Sequence, residues 1–118
     1  MSRVGLVLDR TFEADLVERT LRVRGDIDDY GIIALRNLLA EHGTAPGSRL
    51  VVDLSGVDHL PSVAVGVLTR ALASASRAGA DLSLVAAQGS VAQRVLVVCA
   101  LPFRLDASDD PPDADVSA

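Results

Sequence analysis

The run Leu50-Val51-Val52-Asp53-Leu54, the turn-rich Ser55-Gly56-Val57-Asp58 after it, and the long stretch Ser62 to Ala78 closed by Gly79 decide the fold of this chain. The first is a short continuous apolar run, the form expected of a strand covered on both faces in a parallel sheet. In the last, Val65, Leu68, Leu72 and Ala75 recur at helical spacing, with Arg70, Ser74 and Arg77 largely off that stripe. Gly79 stands where a left-handed residue stops a helix. The segment therefore reads strand, turn, helix.

The same alternation extends outward in both directions. Upstream, Leu21 and Val23 share one face of a strand and Arg22 and Arg24 the other. Gly25-Asp26-Ile27-Asp28 ends that strand. A helix follows from about Gly31, its stripe being Ile32, Leu35, Leu38 and Leu39, and Asp28 or Asp29 is placed to accept from its first free N–H groups. Gly43, Pro46 and Gly47 make the loop before Leu50. Residues 4–8 form a short leading strand, whereas Phe12 to Glu18 alternates poorly. Downstream, Asp81 to Ala86 is a strand. Ser90-Val91-Ala92-Gln93 is a capping box that opens a helix to about Cys99, before Pro102. Phe103-Arg104-Leu105 reads as a last edge strand. Alternating strands and helices imply an α/β layer with right-handed crossovers.

Composition narrows the function classes. At 118 residues the chain has room for one domain, residues 1–105, followed by an acidic, proline-containing tail, 106–118, that reads as disordered. With 49% hydrophobic but only 3% aromatic residues, the core is aliphatic. The net charge of −5 disfavours nucleic acid and anionic membrane surfaces as partners. One cysteine gives no internal disulfide, and neither a leader nor a membrane span is read, so the expected location is cytoplasmic.

No reactive constellation is legible. His42 and His59 read as exposed loop residues with no metal-ligand spacing around them. Cys99 ends the apolar run from Val95 and reads as a buried, inert thiol. Asp26, Asp28, Asp29 and Asp58 stand at strand ends, but no base, nucleophile or oxyanion donor completes a catalytic set. No enzyme activity, cofactor or metal is expected.

The stretch Leu50 to Val57 resembles the Val-Val-Asp-Leu-Ser strand of the STAS family of anti-sigma factor antagonists. Pro61-Ser62-Val63-Ala64-Val65-Gly66-Val67-Leu68 is similar to that family's Asp-Ser-Ser-Gly-Leu-Gly-Val-Leu helix start. Leu21 to Asp28 resembles its strand ending in Gly-Glu-Leu-Asp, and Ser90 to Leu96 its Pro-x-Val-x-Arg-Val-Leu helix. The likeness spans roughly residues 14–105. It implies one STAS-like domain: a mixed sheet of four or five strands with helices mainly on one face. It also implies a protein partner, an anti-sigma factor or related regulator, bound around Asp26, Asp28, Asp58, Ser62, Val63, Ala64 and Val65. In the family the second serine of the motif is phosphorylated by a kinase-type anti-sigma factor, which breaks the complex; here that position is Val63, so the switch is expected to be absent. Ser62 reads as a helix N-cap rather than a displaced acceptor. With Pro61, Val63 and Ala64 replacing polar residues, the surface suits a constitutive contact. A small-ligand sensor and a structural subunit, including a homodimer, stand as alternatives.

Overall fold

The structure is a computed structural model and describes residues 3–8 and 12–106. Its elements run β1 (Arg3–Leu8), β2 (Phe12–Val17), β3 (Thr20–Asp26), α1 (Asp29–His42), β4 (Arg49–His59), α2 (Ser62–Ala78), β5 (Asp81–Val85) and α3 (Val91–Val98). The five strands lie in one sheet in chain order, β1-β2-β3-β4-β5. β1, β2 and β3 are antiparallel neighbours, and β4 and β5 continue in parallel through helical crossovers. The sheet is therefore mixed, as the resemblance to the STAS family implies.

Register explains which face is covered. Leu16 pairs with Leu21, Leu21 with Val52, and Val52 with Leu84, so one row of aliphatic side chains crosses four strands on one face. These residues join Leu35, Leu38 and Leu39 of α1, Ala64, Val67 and Leu68 of α2, and Ala92 and Leu96 of α3 in one core. All three helices thus pack on that face. The opposite face carries Glu13, Asp15, Arg22, Arg24 and Asp53, with Arg22 Nε 3.5 Å from Asp53 and Arg24 Nε 3.5 Å from Glu13. Burial of the aliphatic row is the main stabilising contribution, at about 1.5–3 kcal/mol per fully covered Leu or Val.

Several local expectations change. Phe12–Val17 is a full strand: Phe12, Ala14 and Leu16 alternate into the core and a two-residue turn at Glu18-Arg19, with Glu18 at φ 57, returns the chain into β3. The small Ala14 hides that alternation in the sequence. Ser55-Gly56-Val57-Asp58 is no turn, because β4 runs on to His59. Its extra residues are absorbed in two register shifts against β3, one between the Arg22 and Arg24 pairs and one between the Gly25 and Asp26 pairs. Gly56 is required there, since a Cβ would lie 2.6 Å from Arg24 Cγ. The expected last strand at Phe103–Leu105 shrinks to one parallel bridge, Arg104 with Val85. His42, half-buried, is the last residue of α1 and His59 the last of β4, so neither is a loop residue. The tail expectation falls, from residue 107 on, outside the described residues.

Candidate functional site

Because β3 and β4 are adjacent and parallel, the loops leaving their C-terminal ends lie side by side. Asp26 is in register with His59, and the Ile27 N–H donates to the His59 carbonyl at 3.4 Å. The fold so brings the Asp26–Asp28 loop next to Asp58 and the start of α2, two segments 30 residues apart in sequence.

Each side chain's role follows from its local geometry. Asp28 is the N-cap of α1: its backbone is extended (φ −84, ψ −168) and its carboxylate accepts the Gly31 N–H at 2.9 Å. Of the two aspartates open to that role, Asp28 takes it, and Asp29 occupies the first turn. Ile27 and Leu60 are buried and anchor the two loops from beneath. Asp26 is half-buried and Asp58 is exposed.

At α2 the cap position is Pro61, which provides no side-chain hydrogen bond, and Ser62 is the first helical residue. The N-cap role expected of Ser62 is therefore corrected: proline's fixed φ (−72 here) suits the position before the helix, and the helix begins one residue earlier than a Ser62 cap would place it. Ser62 is exposed, and Val63 is 57% exposed. Ala64 is wholly buried and supports the turn from beneath, so it presents no surface; Val65 is half-buried against the core. The buried stripe of α2 is Ala64, Val67, Leu68 and Ala75, rotated slightly from the stripe read in the sequence.

Two exposed apolar residues at this end were missed: Tyr30 (75%) and Ile33 (51%), three apart on one face of α1. Their signal was present, since both lie off the stripe Leu35-Leu38-Leu39 that α1 buries. Cys99 is a plain correction. It is exposed at the C-cap of α3, beside the exposed Val97 and Val98. Ala92 and Leu96 are the buried residues of that eight-residue helix, with Val95 packed partly against the core, so the apolar run is longer than the face it covers.

Away from this end, a groove of about 560 Å³ lies on the helix-free face of the sheet, lined by Thr20, Arg22, Asp53, Ser55, Val85 and Leu105. Of its charged residues, Arg22 and Asp53 face each other and Asp106 is the third, and Ser55 Oγ already accepts the Ala87 N–H at 2.9 Å. Among the described residues no group of three His, Cys, Asp or Glu side chains is arranged to hold a metal, and no helix is long and apolar enough to cross a membrane.

A mixed sheet with three helices on one face, and its exposed helix start beside an acidic loop, defines a small α/β module of the STAS type. Residues 11–100 match the family described as "Mlab, STAS domain", and the chain belongs to that family. The fold is similar to an anti-sigma factor antagonist from Mycobacterium paratuberculosis (TM-score 0.61, 21% identity, 91% of this chain and 92% of that chain covered). It is similar also to the anti-sigma factor antagonist SpoIIAA in its unphosphorylated form (TM-score 0.63, 17% identity, 90% and 96% covered).

Proposed function

We propose that this domain is a non-catalytic protein-binding module of the cytoplasm that regulates its partner, an anti-sigma factor or related regulator, by direct contact. The contact lies at the start of α2 and the adjoining β3–α1 loop, and it works without a serine switch at position 63. The observation that supports this reading most is the exposed Val63 on the first turn of α2. It is an apolar side chain that nothing in the core requires, at the position where the resembling family carries its phosphorylated serine. A phosphate adds about −1.5 to −2 charges at a contact, and valine has no oxygen to receive one.

The test is binding to a kinase-type anti-sigma factor, with and without ATP. The complex is expected to survive ATP turnover, with no phosphate on the chain. Val63→Asp is expected to weaken it by about 2 kcal/mol or more, roughly 30-fold in Kd, as for a charge buried without a partner. Stoichiometric phosphate on Ser62 that releases the partner would refute the absence of a switch. Unchanged binding by Val63→Asp would move the partner to another face.

A further inference from the structure

We infer that the contact continues from Val63 down the exposed ridge of α2 to Arg70 and Arg77, and that its occupant there is a protein surface carrying aspartate or glutamate. The inference rests on the proposed reading that the partner sits at the start of α2, and adds the partner's chemistry and the direction in which the contact extends.

Helix geometry carries the first half. Ser62, Gly66, Arg70, Ala73 and Arg77 fall at i, i+4, i+8, i+11 and i+15, so they line one side of α2, opposite the buried Ala64, Val67, Leu68 and Ala75. Ser62, Arg70, Ala73 and Arg77 are all exposed, so nothing in the fold covers that side. Val63 adjoins it, because Val63, Gly66 and Arg70 follow at i, i+3 and i+7. Arg70 Nη2 lies 4.0 Å from the position a Gly66 Cβ would take. The guanidinium thus folds back over Gly66 toward the turn that bears Val63. Arg77 stands about 10 Å further along the axis.

Charge carries the second half. Residues 59–80 hold His59, Arg70 and Arg77 but no acid, in a chain of net charge −5. The charged groups on adjoining elements are Asp53 and Asp58 of β4, Asp81 of β5, and Asp29, Arg36, Glu41 and His42 of α1. None of these carboxylates reaches the ridge: among the described residues neither Arg70 nor Arg77 forms an ion pair, and the exposed Arg36 has none either. Arg22, Arg24 and Arg49 of the sheet, by contrast, each face a carboxylate at 3.5 Å. Arg77 donates only to Ser74 Oγ, at 3.4 Å. The two guanidinium forks are therefore open to carboxylates from outside, which arginine binds with two parallel hydrogen bonds. The net charge disfavours nucleic acid and anionic membranes as the source of the anion. The occupant is an acidic protein surface.

The experiment measures binding of the full chain to a kinase-type anti-sigma factor at roughly 50 and 300 mM salt. The variants are Val63→Asp, Arg70→Gln with Arg77→Gln, Arg70→Glu with Arg77→Glu, and Arg94→Gln. Arg94 is exposed on α3, off the ridge, and controls for net charge. All four positions are exposed, so thermal unfolding should place each Tm near that of the parent. The glutamine pair is expected to bind at least about fivefold more weakly at low salt and to lose most of the parent's salt dependence. The glutamate pair should lose more, because like charges then meet. Arg94→Gln should bind within about twofold of the parent. Parent-like binding and salt dependence in both pairs, with Val63→Asp still defective, would overturn this inference and leave the proposed function standing. A loss by Arg94→Gln as large as that of the glutamine pair would overturn it too, by making the effect one of net charge. Parent-like binding by Val63→Asp, or no binding by the parent chain, would overturn both. Concentration-dependent self-association abolished by the glutamine pair would show the occupant to be a second copy and overturn the assignment.

Discussion

Replacing Asp28 by alanine and, separately, by asparagine separates two roles that one carboxylate can play at the end of β3. In the structure its Oδ1 accepts the Gly31 N–H at 2.9 Å from an extended backbone, satisfying one of the free donors of α1. Loss of such a cap to alanine costs about 1 kcal/mol. Loss of a negative charge at a helix N-terminus adds about 0.3–1 kcal/mol, at the lower end here because Asp29 remains in the first turn. Asp28→Ala should therefore destabilise the domain by about 1.5 kcal/mol, a fall in Tm of roughly 6 °C at this chain length. Asp28→Asn keeps an acceptor in place and should lose about 0.5 kcal/mol or less. Urea unfolding followed by circular dichroism reads the difference directly: the midpoint should shift and the slope should not. Both variants should bind the partner with affinity near that of the parent once folded, because the Asp28 carboxylate is engaged at the cap of α1. Equal destabilisation by alanine and asparagine would show that charge, not the cap bond, carries the effect. No destabilisation by either would refute the cap altogether.

The thiol of Cys99 should react with an aromatic disulfide reagent promptly and stoichiometrically in the native state, because the residue is exposed at the C-cap of α3. Reaction only after denaturation would mean that the end of α3 is covered. Gly31→Ala pits two effects against each other. Alanine gains up to about 1 kcal/mol of helix propensity, but its Cβ would lie 2.7 Å from Phe12 Cδ1 and 3.3 Å from Ile27 Cγ2. Phe12 and Ile27 are each 1% exposed and have no free side to move into, so overpacking at about 1–3 kcal/mol should win and the variant should unfold at lower urea. A more stable variant would show that the Phe12 ring shifts at little cost.

Local physics made most of the fold legible. The alternation of Leu21 and Val23, the helical stripe Leu35-Leu38-Leu39, the left-handed stop at Gly79 (φ 77) and the cap at Ser90 each depend on neighbours within one turn or one strand, and all are present. Even the capping box deviates by only one residue: Ser90 accepts the Gln93 N–H as expected, while Gln93 reaches back to the N–H of Gly89. Cys99, Ala64 and the far half of β4 behaved otherwise, for one reason. A period tells which residues share a face, but how much of that face is covered depends on where the element meets the sheet. α3 leaves the sheet before its apolar run ends, so Val97, Val98 and Cys99 stay in solvent. On α2 the buried stripe falls on Ala64, Val67, Leu68 and Ala75, which leaves Val63 exposed. β4 continues past its turn-like residues because β3 offers hydrogen bonds there, with Gly56 making room for Arg24. The sequence by itself thus determined most of the elements, their order and the acidic, apolar character of the loops at the ends of β3 and β4. Tertiary structure alone decided which of those side chains share one surface, because only the parallel pairing of β3 with β4 brings Asp26 and Tyr30 to the same end as Asp58 and Val63.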